Sequence, residues 1–406
     1  MKRWLTKPLG DVCEFVRGIS FKPTDLVGAG SANSLACFRT KNVQLALEAD
    51  DLIHIPRSFV KTDRQLVQEG DALISTANSN NLVGKCCFVP RLDYPATLGG
   101  FIAGVRSNPK QMRPRFLYYW LASPPIQERL RRLARQTTNI SNLPLTDVAK
   151  ELAPVPPLVD QERIVKLLDE ADELRMLRVQ ADRRTADLIP ALFQEMFGDP
   201  DDNLRGWARC PVSSFVEELH GGRSVNPAGA DEAAGRFRVL KISAVTWGEF
   251  NPEESKPVPA MYEPPESHFV RAGDLLFSRA NTTELVAATS YVFDTPPNLL
   301  LPDKLWRFVW MQPQVVEPLF VWWLFQAPSV RRKLGQRATG TGGSMKNISK
   351  PKVMSLEVPL PPLPLQKEFA ARVSEIRAVQ AEQADSRRRL DDLFQSLLHR
   401  AFNGEL

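Results

Sequence analysis

Two matched loops are rich in amide, hydroxyl and cationic side chains. The stretch GDALISTANSNNLV at residues 70–83 recurs as GDLLFSRANTTELV at residues 273–286, an offset of 203 because 273 minus 70 is 203. Amide and guanidinium groups pair with the edges of bases, and cations neutralise phosphates. The two loops therefore favour contact with a nucleic acid. The alternative interpretation is that these loops are ordinary turns and that the nearby arginines are solvated.

The candidate binding residues are polar or cationic side chains that stand in these loops, after strand-like runs, or near a short Asn-Ile-Ser segment. In the first half of the chain they are Arg39, Lys41, Asn42, Thr76, Asn78, Asn80, Arg135 and Asn139. In the second half they are Lys241, Ser243, Arg279, Asn281, Lys304, Arg337, Lys346 and Asn347. TNIS at 138–141 aligns with KNIS at 346–349, which makes Asn139 the predicted counterpart of Asn347.

Two aromatic pairs could in principle stack on bases. Tyr118 and Tyr119 match Trp322 and Trp323 at an offset of 204. Because both pairs lie within apolar, helix-like runs, we expect them to pack in the core instead.

The sequence lacks the motifs of an enzyme that modifies nucleic acids. An adenine methyltransferase is expected to show Asn/Asp-Pro-Pro-Tyr/Phe, but the Asn-Pro pairs at Asn108, Asn226 and Asn251 continue with Lys, Ala and Glu. The glycine-rich stretch GTGGSMKN at 340–347 does not have the spacing of a Walker loop. We therefore predict that the chain is noncatalytic.

Composition is typical of an ordinary globular protein. With 406 residues, 43% hydrophobic and 24% charged, the chain has room for two or more cores. Neither a run of about eighteen apolar residues nor a signal-peptide core is present, so we expect a cytoplasmic protein with no membrane partner. The five cysteines, with Cys86 and Cys87 adjacent, lack zinc-site spacing and predict reduced thiols. The net charge of +5 favours an anionic partner only mildly.

A second repeat predicts two long helices. PVPPLVDQERIVKLLDEADEL starts at Pro154 and PLPPLPLQKEFAARVSEIRAV at Pro359, an offset of 205 because 359 minus 154 is 205. After each Pro-Pro pair, apolar residues follow steps of three and four, the stripe of an amphipathic helix. Helices of roughly 40 residues would be about 60 Å long, and Pro190 should kink the first one near its last two turns. The simplest burial of both stripes is an antiparallel coiled-coil pair, and the alternative is that they are ordinary core helices.

This helix pair is expected to be apolar at its ends and polar in the middle. Arg178 and Thr185 interrupt the first stripe, and Gln380, Gln383 and Arg387 interrupt the second. Polar interruptions of this kind can fix the register of a coiled coil at a cost in stability. The residues expected to form the apolar stripes, and with them the surface for partner proteins, are Ile164, Leu168, Leu174, Leu188, Leu192, Phe369, Val373, Ile376, Leu393 and Leu397.

The whole chain therefore reads as one α+β unit written twice, with an internal pseudo-two-fold repeat. Short apolar runs such as ALIST and FIAGVR predict strands, and the SPP in RPRFLYYWLASPPIQERL predicts a break between two short helices. Residues 1–153 and 199–358 are the expected globular domains, and residues 154–198 and 359–406 are the expected long helices that separate them.

These residues resemble the specificity subunits of type I restriction-modification systems. The resemblance rests on the helix start PVPPLVDQERI with its looser copy PLPPLPLQKEF, on the GD-x-L core followed by S-x-AN, and on the NIS segments, all in the same order in both halves. It covers essentially the whole chain and implies two target recognition domains that each read half of a split double-stranded DNA sequence, with the helices as spacer. It also implies docking on two methyltransferase subunits that bind S-adenosylmethionine, no cofactor in this chain, and an open question whether restriction subunits join.

Two other functions remain as alternatives at this point. One is a noncatalytic coiled-coil scaffold that binds protein partners without DNA specificity. The other is a self-sufficient methyltransferase, which the missing motifs disfavour.

Overall fold

The computed structural model describes residues 4–137, 140–225, 236–340 and 345–406. Within them the chain forms two compact units. The first unit combines residues 1–180 with residues 384–406, and the second unit is residues 181–383. Each unit is thus a globular domain together with segments of both long helices.

In the first unit, β2, β9, β5 and β7 form an antiparallel sheet in that order, and β4, β3 and β8 form a second sheet in which β3 and β8 are parallel. Two small ladders, β10-β11-β6 and β1-β12, complete the strands described there. The strands are β1 (Thr6–Pro8), β2 (Cys13–Arg17), β3 (Ser34–Phe38), β4 (Ile53–Pro56), β5 (Ala72–Ser75), β6 (Ala77–Asn78), β7 (Cys86–Phe88), β8 (Ala96–Leu98), β9 (Ile102–Ser107), β10 (Arg135–Gln136), β11 (Ser141–Asn142) and β12 (Leu152–Pro154). The helices are α1 (Leu9–Val12), α2 (Pro114–Ala122), α3 (Pro124–Leu133), α4 (Leu145–Val148) and α5 (Leu158–Ala186), whose last residues belong to the second unit.

The second unit repeats this plan. Its strands are β13 (Arg209–Pro211), β14 (Val216–Gly221), β15 (Arg238–Leu240), β16 (Ser255–Pro257), β17 (Leu275–Ser278), β18 (Ala280–Asn281), β19 (Thr289–Tyr291), β20 (Leu299–Leu300), β21 (Leu305–Trp310), β22 (Lys346–Asn347) and β23 (Glu357–Pro359). The remaining helices are α6 (Leu188–Phe197), α7 (Pro318–Gln326), α8 (Pro328–Arg337), α9 (Lys350–Met354) and α10 (Leu363–Phe402). The sheets β14-β21-β17-β19 and β16-β15-β20 and the ladders β18-β22 and β13-β23 match those of the first unit. The predicted α+β class and the internal repeat are confirmed.

The short helices begin where the prolines predict. Pro114 and Pro124 stand at the first positions of α2 and α3, where the missing amide hydrogen of proline costs no helical hydrogen bond. Pro318 and Pro328 do the same in α7 and α8. The predicted break between two short helices is therefore confirmed in the first unit, and the second unit has the same break.

The first long helix is interrupted. α5 ends at Ala186 and α6 begins at Leu188, so Pro190 lies in the first turn of a separate helix. A proline is tolerated there because first-turn amides have no partner within the helix. The expected kink is present, but it lies at Asp187, before the proline.

The long helices are antiparallel, as predicted. In the second unit the hydroxyl of Thr185 donates to Oε1 of Gln383 at 2.7 Å, and further along the helices Phe193 packs edge-on against Phe369. Residue numbers therefore rise along one helix where they fall along the other, as in an antiparallel pair. The amide of Gln380 also donates to the carbonyl oxygen of Thr185 at 3.0 Å, so the expected polar middle consists of paired groups.

In the first unit the same two helices meet through a charged cluster. Nε of Arg175 donates to Oδ1 of Asp391 at 2.7 Å, and its Nη1 donates to Asp172 at 3.0 Å. The guanidinium also lies 4.3 Å from the ring centroid of Phe394. This arginine therefore joins the helices through both its charge and its flat face.

Much of each apolar stripe is buried in a globular core that also contains residues of the other long helix. Among the predicted stripe residues, Leu174, Leu188 and Leu393 remain 51%, 46% and 48% exposed. The others are buried or half-buried in the two largest hydrophobic clusters: Ile164, Leu168, Leu192, Phe369, Val373, Ile376 and Leu397. The stripes therefore contact each other, as expected, and also contact the aromatic residues of α2 and α7.

A buried glutamine explains the PPL-x-x-Q motif at each helix start. Gln161 is fully buried, and its Oε1 accepts a hydrogen bond from the amide of Arg113, which precedes α2, at 2.7 Å. Gln366 is likewise fully buried and accepts from the amide of Glu317, which precedes α7, at 2.9 Å. Each side-chain amide also donates to the carbonyl of the first proline in its Pro-Pro pair. The glutamine therefore ties the start of the long helix to the start of the aromatic helix.

The described part of the chain contains no group of three or more His, Cys, Asp or Glu residues suited to a metal. The five cysteines, all within it, are free. Burial raises the pKa of Cys13 and of Cys37 to about 12, so these thiols stay protonated near neutral pH. No helix in the described ranges has the length and apolar character needed to cross a bilayer.

We expect Gln161→Ala to lower the free energy of unfolding of the first unit by about 1–3 kcal/mol, because it leaves the amide of Arg113 buried without an acceptor. Urea denaturation followed by tryptophan fluorescence measures the change. Gln395→Ala, at an exposed position of α10, is the matched control and should shift stability by less than about 0.5 kcal/mol. Equal shifts for the two variants would contradict the role assigned to Gln161.

Candidate nucleic-acid interface

A short antiparallel ladder gathers the predicted loop residues of the first unit. β11 pairs with β6, where Ser141 is the register partner of Asn78. On its other side β11 pairs with β10, where Asn142 is the partner of Arg135. Thr76 immediately precedes β6. The ladder therefore combines three predicted residues, Thr76, Asn78 and Arg135, with the adjacent Ser141 and Asn142.

The second unit has the corresponding ladder. Asn281 of β18 is the register partner of Lys346 in β22, and Ala280 is the partner of Asn347. Nη1 of Arg279 lies 3.5 Å from Oδ1 of Asn347. Four predicted residues, Arg279, Asn281, Lys346 and Asn347, are thus brought together.

Backbone hydrogen bonds set the correspondence between the ladders. The amide of Leu143 donates to the carbonyl oxygen of Thr76 at 2.8 Å. The amide of Ile348 donates to the carbonyl oxygen of Arg279 at 2.9 Å. Thr76 and Arg279 are matched at the offset of 203. Leu143 and Ile348 therefore occupy equivalent places at an offset of 205, since 348 minus 143 is 205.

This register corrects the predicted counterpart of Asn347. At an offset of 205 the equivalent residue is Asn142, and Asn139 itself lies outside the described residues. The prediction was wrong because it matched the letters NIS without gaps, whereas the backbone pairing fixes which residues share a place. Asn142 is exposed at the ladder surface.

A turn beside each ladder presents one further side chain. The carbonyl oxygen of Phe101 accepts from the amide of Thr76 at 2.9 Å, and that of Lys304 accepts from the amide of Arg279 at 3.1 Å. Phe101 and Lys304 therefore occupy equivalent places, and Lys304 joins the other predicted residues of its ladder. Phe101 is 64% exposed, although the sequence predicts it within a strand. It stands in the turn before β9.

Close backbone packing holds both turns. A Cβ atom at Gly18 would overlap the carbonyl oxygen of Gly99, and one at Gly222 would overlap that of Leu301. The amide of Gly18 also donates to the carbonyl of Ile102 at 3.2 Å. The end of β2 or β14 can approach the turn in this way because glycine has no side chain.

The aspartate of each GD motif anchors the strand that leads into the ladder. Asp71 accepts two hydrogen bonds of 2.8 Å from Arg106 in β9. Asp274 accepts one of 3.1 Å from Arg307 in β21, and burial raises its pKa although the cation opposes this. Both guanidinium groups are therefore structural and are not available to a ligand.

Predicted residues of the first unit outside the ladder are held by their own loop. Asn42 is 1% exposed; its amide donates to the carbonyl oxygen of Glu48 at 3.0 Å, and its Oδ1 accepts from the backbone of Arg39. The side chains of Arg39 and Lys41 both pair with Asp51. Asn42 thus shapes the loop, and the two cations remain at its surface.

A similar group lies in the second unit. The hydroxyl of Ser243 donates to Glu254 at 2.6 Å, and Nζ of Lys241 lies 3.7 Å from the same carboxylate. The hydrogen bond and the cation hold the pKa of Glu254 below its ordinary value. The neighbouring Thr246 accepts from the side-chain amide of Asn281 at 3.5 Å, which links this group to the ladder.

The remaining predicted residues have local partners. Oδ1 of Asn80 accepts from the hydroxyl of Ser141 at 3.4 Å, beside the first ladder. Nζ of Lys346 donates to the carbonyl oxygen of Gly340 at 3.0 Å. Arg337 donates to the carbonyl oxygen of Lys352 at 2.8 Å and so fastens the end of α8 to α9. Arg337 therefore acts first as a structural residue.

The aromatic pairs behave as predicted. Tyr119 and Trp322 are each 1% exposed, Tyr118 is buried, and Trp323 is half-buried. Residues that sequence reasoning missed are Arg17, Phe101 and Asn142, which line a groove of about 610 Å³ with Thr76 and Arg135.

Fold and site together define a class of protein: an α+β chain built from one repeated unit, with a polar ladder of the same register and different side chains in each copy. Residues 1–179 match the family described as "Type I restriction modification DNA specificity domain". This range nearly coincides with the N-terminal segment of the first unit.

Relatives of the whole chain agree with this match. The chain is 25% identical to the type I restriction enzyme EcoKI specificity subunit of Escherichia coli strain K12 and 20% identical to the StySPI specificity subunit of Salmonella potsdam, covering 99% of this chain and 89% of each relative. The solved S subunit of a type I restriction-modification system from M. genitalium has the same fold, with a TM-score of 0.56, 14% identity and coverage of 98% and 96%. A structure described in connection with complex assembly of the type I R-M system aligns with a TM-score of 0.56 and 19% identity over 99% of this chain and 98% of its own.

Residues 1–179 therefore match the DNA specificity domain of type I restriction-modification systems, and nearly the whole chain is similar to specificity subunits of such systems. The sequence prediction of a noncatalytic specificity subunit agrees with this similarity.

We expect Gly18→Ala to destabilise the first unit by about 1–3 kcal/mol, because the new methyl group meets the backbone of Gly99 and cannot be relieved by a side-chain rotation. Gly30→Ala is the control, since its Cβ would have nothing within 4 Å. Thermal denaturation of the two variants measures the difference. Indistinguishable melting curves would show that the turn carrying Phe101 is not held in this way.

Proposed function

We propose that this chain recognises a bipartite double-stranded DNA target, with one half-site bound by the ladder of each unit. The observation that carries the proposal is the identity of backbone register combined with the difference in side chains. Amides occupy the same places, Asn78 with Asn281 and Asn142 with Asn347. Such amides suit adenine edges, where they can donate and accept at once.

The other ladder positions differ in charge and size. Arg279 replaces Thr76, and Lys346 replaces Ser141. Two copies with a common scaffold and unlike surface groups are what recognition of two unlike half-sites requires. The cations would neutralise phosphates, so affinity for DNA of any sequence should fall steeply as the salt concentration rises.

We further propose that the chain docks two methyltransferase subunits, which bind S-adenosylmethionine and supply the methyl-transfer chemistry. Leu174, Leu188 and Leu393 are the predicted helix residues most available for this contact, because each is about half exposed. The long helices would serve as the spacer between half-sites, and restriction subunits would join through the methyltransferase subunits. The proposed location is the cytoplasm, the compartment that holds the DNA of bacteria such as the relatives compared above.

We expect Asn142→Ala to weaken binding of the reconstituted complex to its own target by about 5- to 150-fold, the range for loss of a bidentate amide–base contact. Fluorescence anisotropy with a labelled target duplex and with a random duplex, at two salt concentrations, measures affinity and salt dependence. The control Asn139→Ala should bind like the wild type. A larger loss of affinity for Asn139→Ala than for Asn142→Ala would favour the ungapped alignment. Absence of specific binding by the wild-type complex would refute the proposed function.

We also expect that exchanging residues 1–153 for those of another specificity subunit changes one half of the methylated target and leaves the other half unchanged. The reciprocal exchange of residues 199–358 should change only the other half. Sequencing of methylated adenines in cells that express the complete system measures both outcomes. Alteration of both halves by either exchange would contradict separate reading by the two units.

A further inference from the structure

The turns that carry Phe101 and Lys304 offer the largest chemical difference between the two ladders. Their backbones are equivalent, since each carbonyl oxygen accepts from the residue just before β6 or β18. One place is therefore occupied by an aromatic ring in the first unit and by an ammonium group in the second. The main chain is fixed in both, so the difference lies in the side chain alone.

The ring of Phe101 stands in polar surroundings. The groove beside it is lined by Arg17, Ser20, Thr76, Arg135 and Asn142. The side chain of Arg17 makes no hydrogen bond or ion pair with any residue of the described ranges. The side chain of Arg135 is 79% exposed, 3.6 Å from Asp147. An apolar ring and two exposed cations in one groove match a surface that contacts both phosphates and an apolar group.

Lys304 is surrounded differently. The guanidinium of the adjacent Arg279 already has two partners in Asp303. Its Nε donates to the backbone carbonyl oxygen of Asp303 at 2.8 Å, and its Nη2 lies 3.3 Å from the side-chain carboxylate of the same residue. Within the described part of the chain the ammonium group of Lys304 has no hydrogen bond and no carboxylate partner. Its charge is therefore available to an acceptor outside the protein.

We propose that this turn position determines one base in each half-site, through Phe101 against the 5-methyl group of a thymine and through Lys304 with O6 and N7 of a guanine. In the major groove the methyl group is the one apolar feature of a base edge, and guanine is the base with two adjacent acceptors. This inference rests on the proposed function and adds the chemistry read at one position.

The test uses the reconstituted complex and its mapped target, with the half-site of the first unit assigned by exchange of residues 1–153. Each thymine of that half-site is replaced in turn by deoxyuridine, which removes the methyl group and nothing else. At one position we expect the affinity of the wild-type complex to fall about fourfold, the effect of exposing one buried methyl group. Phe101→Ala should bind the thymine and deoxyuridine duplexes equally.

Leu45→Ala is the matched control, because Leu45 is an exposed apolar side chain of the same unit outside the groove. It should retain the full difference between thymine and deoxyuridine. Since Phe101 is largely exposed, its replacement should leave the melting temperature unchanged, and a melting curve verifies this. In the second half-site, 7-deazaguanine at one guanine should weaken the wild-type complex and have no effect on Lys304→Ala.

Failure of the inference is distinct from failure of the proposed function. Three outcomes would overturn the role of Phe101. The first is specific binding that is insensitive to every thymine replacement, and the second is a first half-site without thymine. The third is an equal loss of affinity on thymine replacement in the Phe101→Ala complex. A second half-site that is insensitive to 7-deazaguanine would overturn that of Lys304. Absence of specific DNA binding by the wild-type complex would instead overturn the proposed function itself.

Discussion

Each core depends on apolar surface supplied by the end of a long helix. In the first unit Phe394, Leu398 and Ala401 of α10 are buried among the aromatic residues of α2, and in the second unit Phe193 and Phe197 of α6 fill the same role. Burying a large apolar side chain contributes about 1.5–3 kcal/mol. A few such residues are comparable with the net stability of a domain. The helix ends are therefore part of the cores, and packing holds each end within its own unit.

Buried polar groups then fix how the helices and strands align, which apolar packing alone does not specify. The glutamine at the start of each long helix and the aspartate of each GD motif are used in the same way in both units. The arginine partner of that aspartate, however, comes from different strand positions. Arg106 and Arg307 differ by 201, whereas the strands correspond at 203, so the two residues are two positions apart on the same face of the strand. The physical requirement for a paired carboxylate is constant while the residue that meets it has shifted.

Much of this architecture could be predicted from the repeats. The offsets of 203, 204 and 205 located equivalent strands, short helices and long helices, because insertions between strongly patterned elements are short. The SPP of the first half correctly marked the break between α2 and α3. The offset also rises steadily along the chain, so the value of 208 used for Asn139 and Asn347 already conflicted with its neighbours. That signal could have identified Asn142.

Other features of the site could not be found in this way. Phe101 begins an apolar run and reads as the first residue of a strand, and only the hydrogen bonds of its turn show that the ring is outside. Whether Asn42 or Arg337 faces solvent or a backbone carbonyl depends on the conformation of the loop that follows it, which periodicity does not specify. The stripes of the long helices were predicted correctly as apolar. The surfaces that cover them could be identified only from the positions of α2 and α7.

The division of the chain into a continuous unit and a discontinuous one has a consequence for biosynthesis. Residues 181–383 leave the ribosome as a complete set, whereas residues 1–180 must wait for residues 384–406 before their core can close. The portion translated first is therefore the portion that matures last, with its hydrophobic face open in the meantime. A nonsense codon just after residue 383 would accordingly damage the amino-terminal unit and leave residues 181–383 complete.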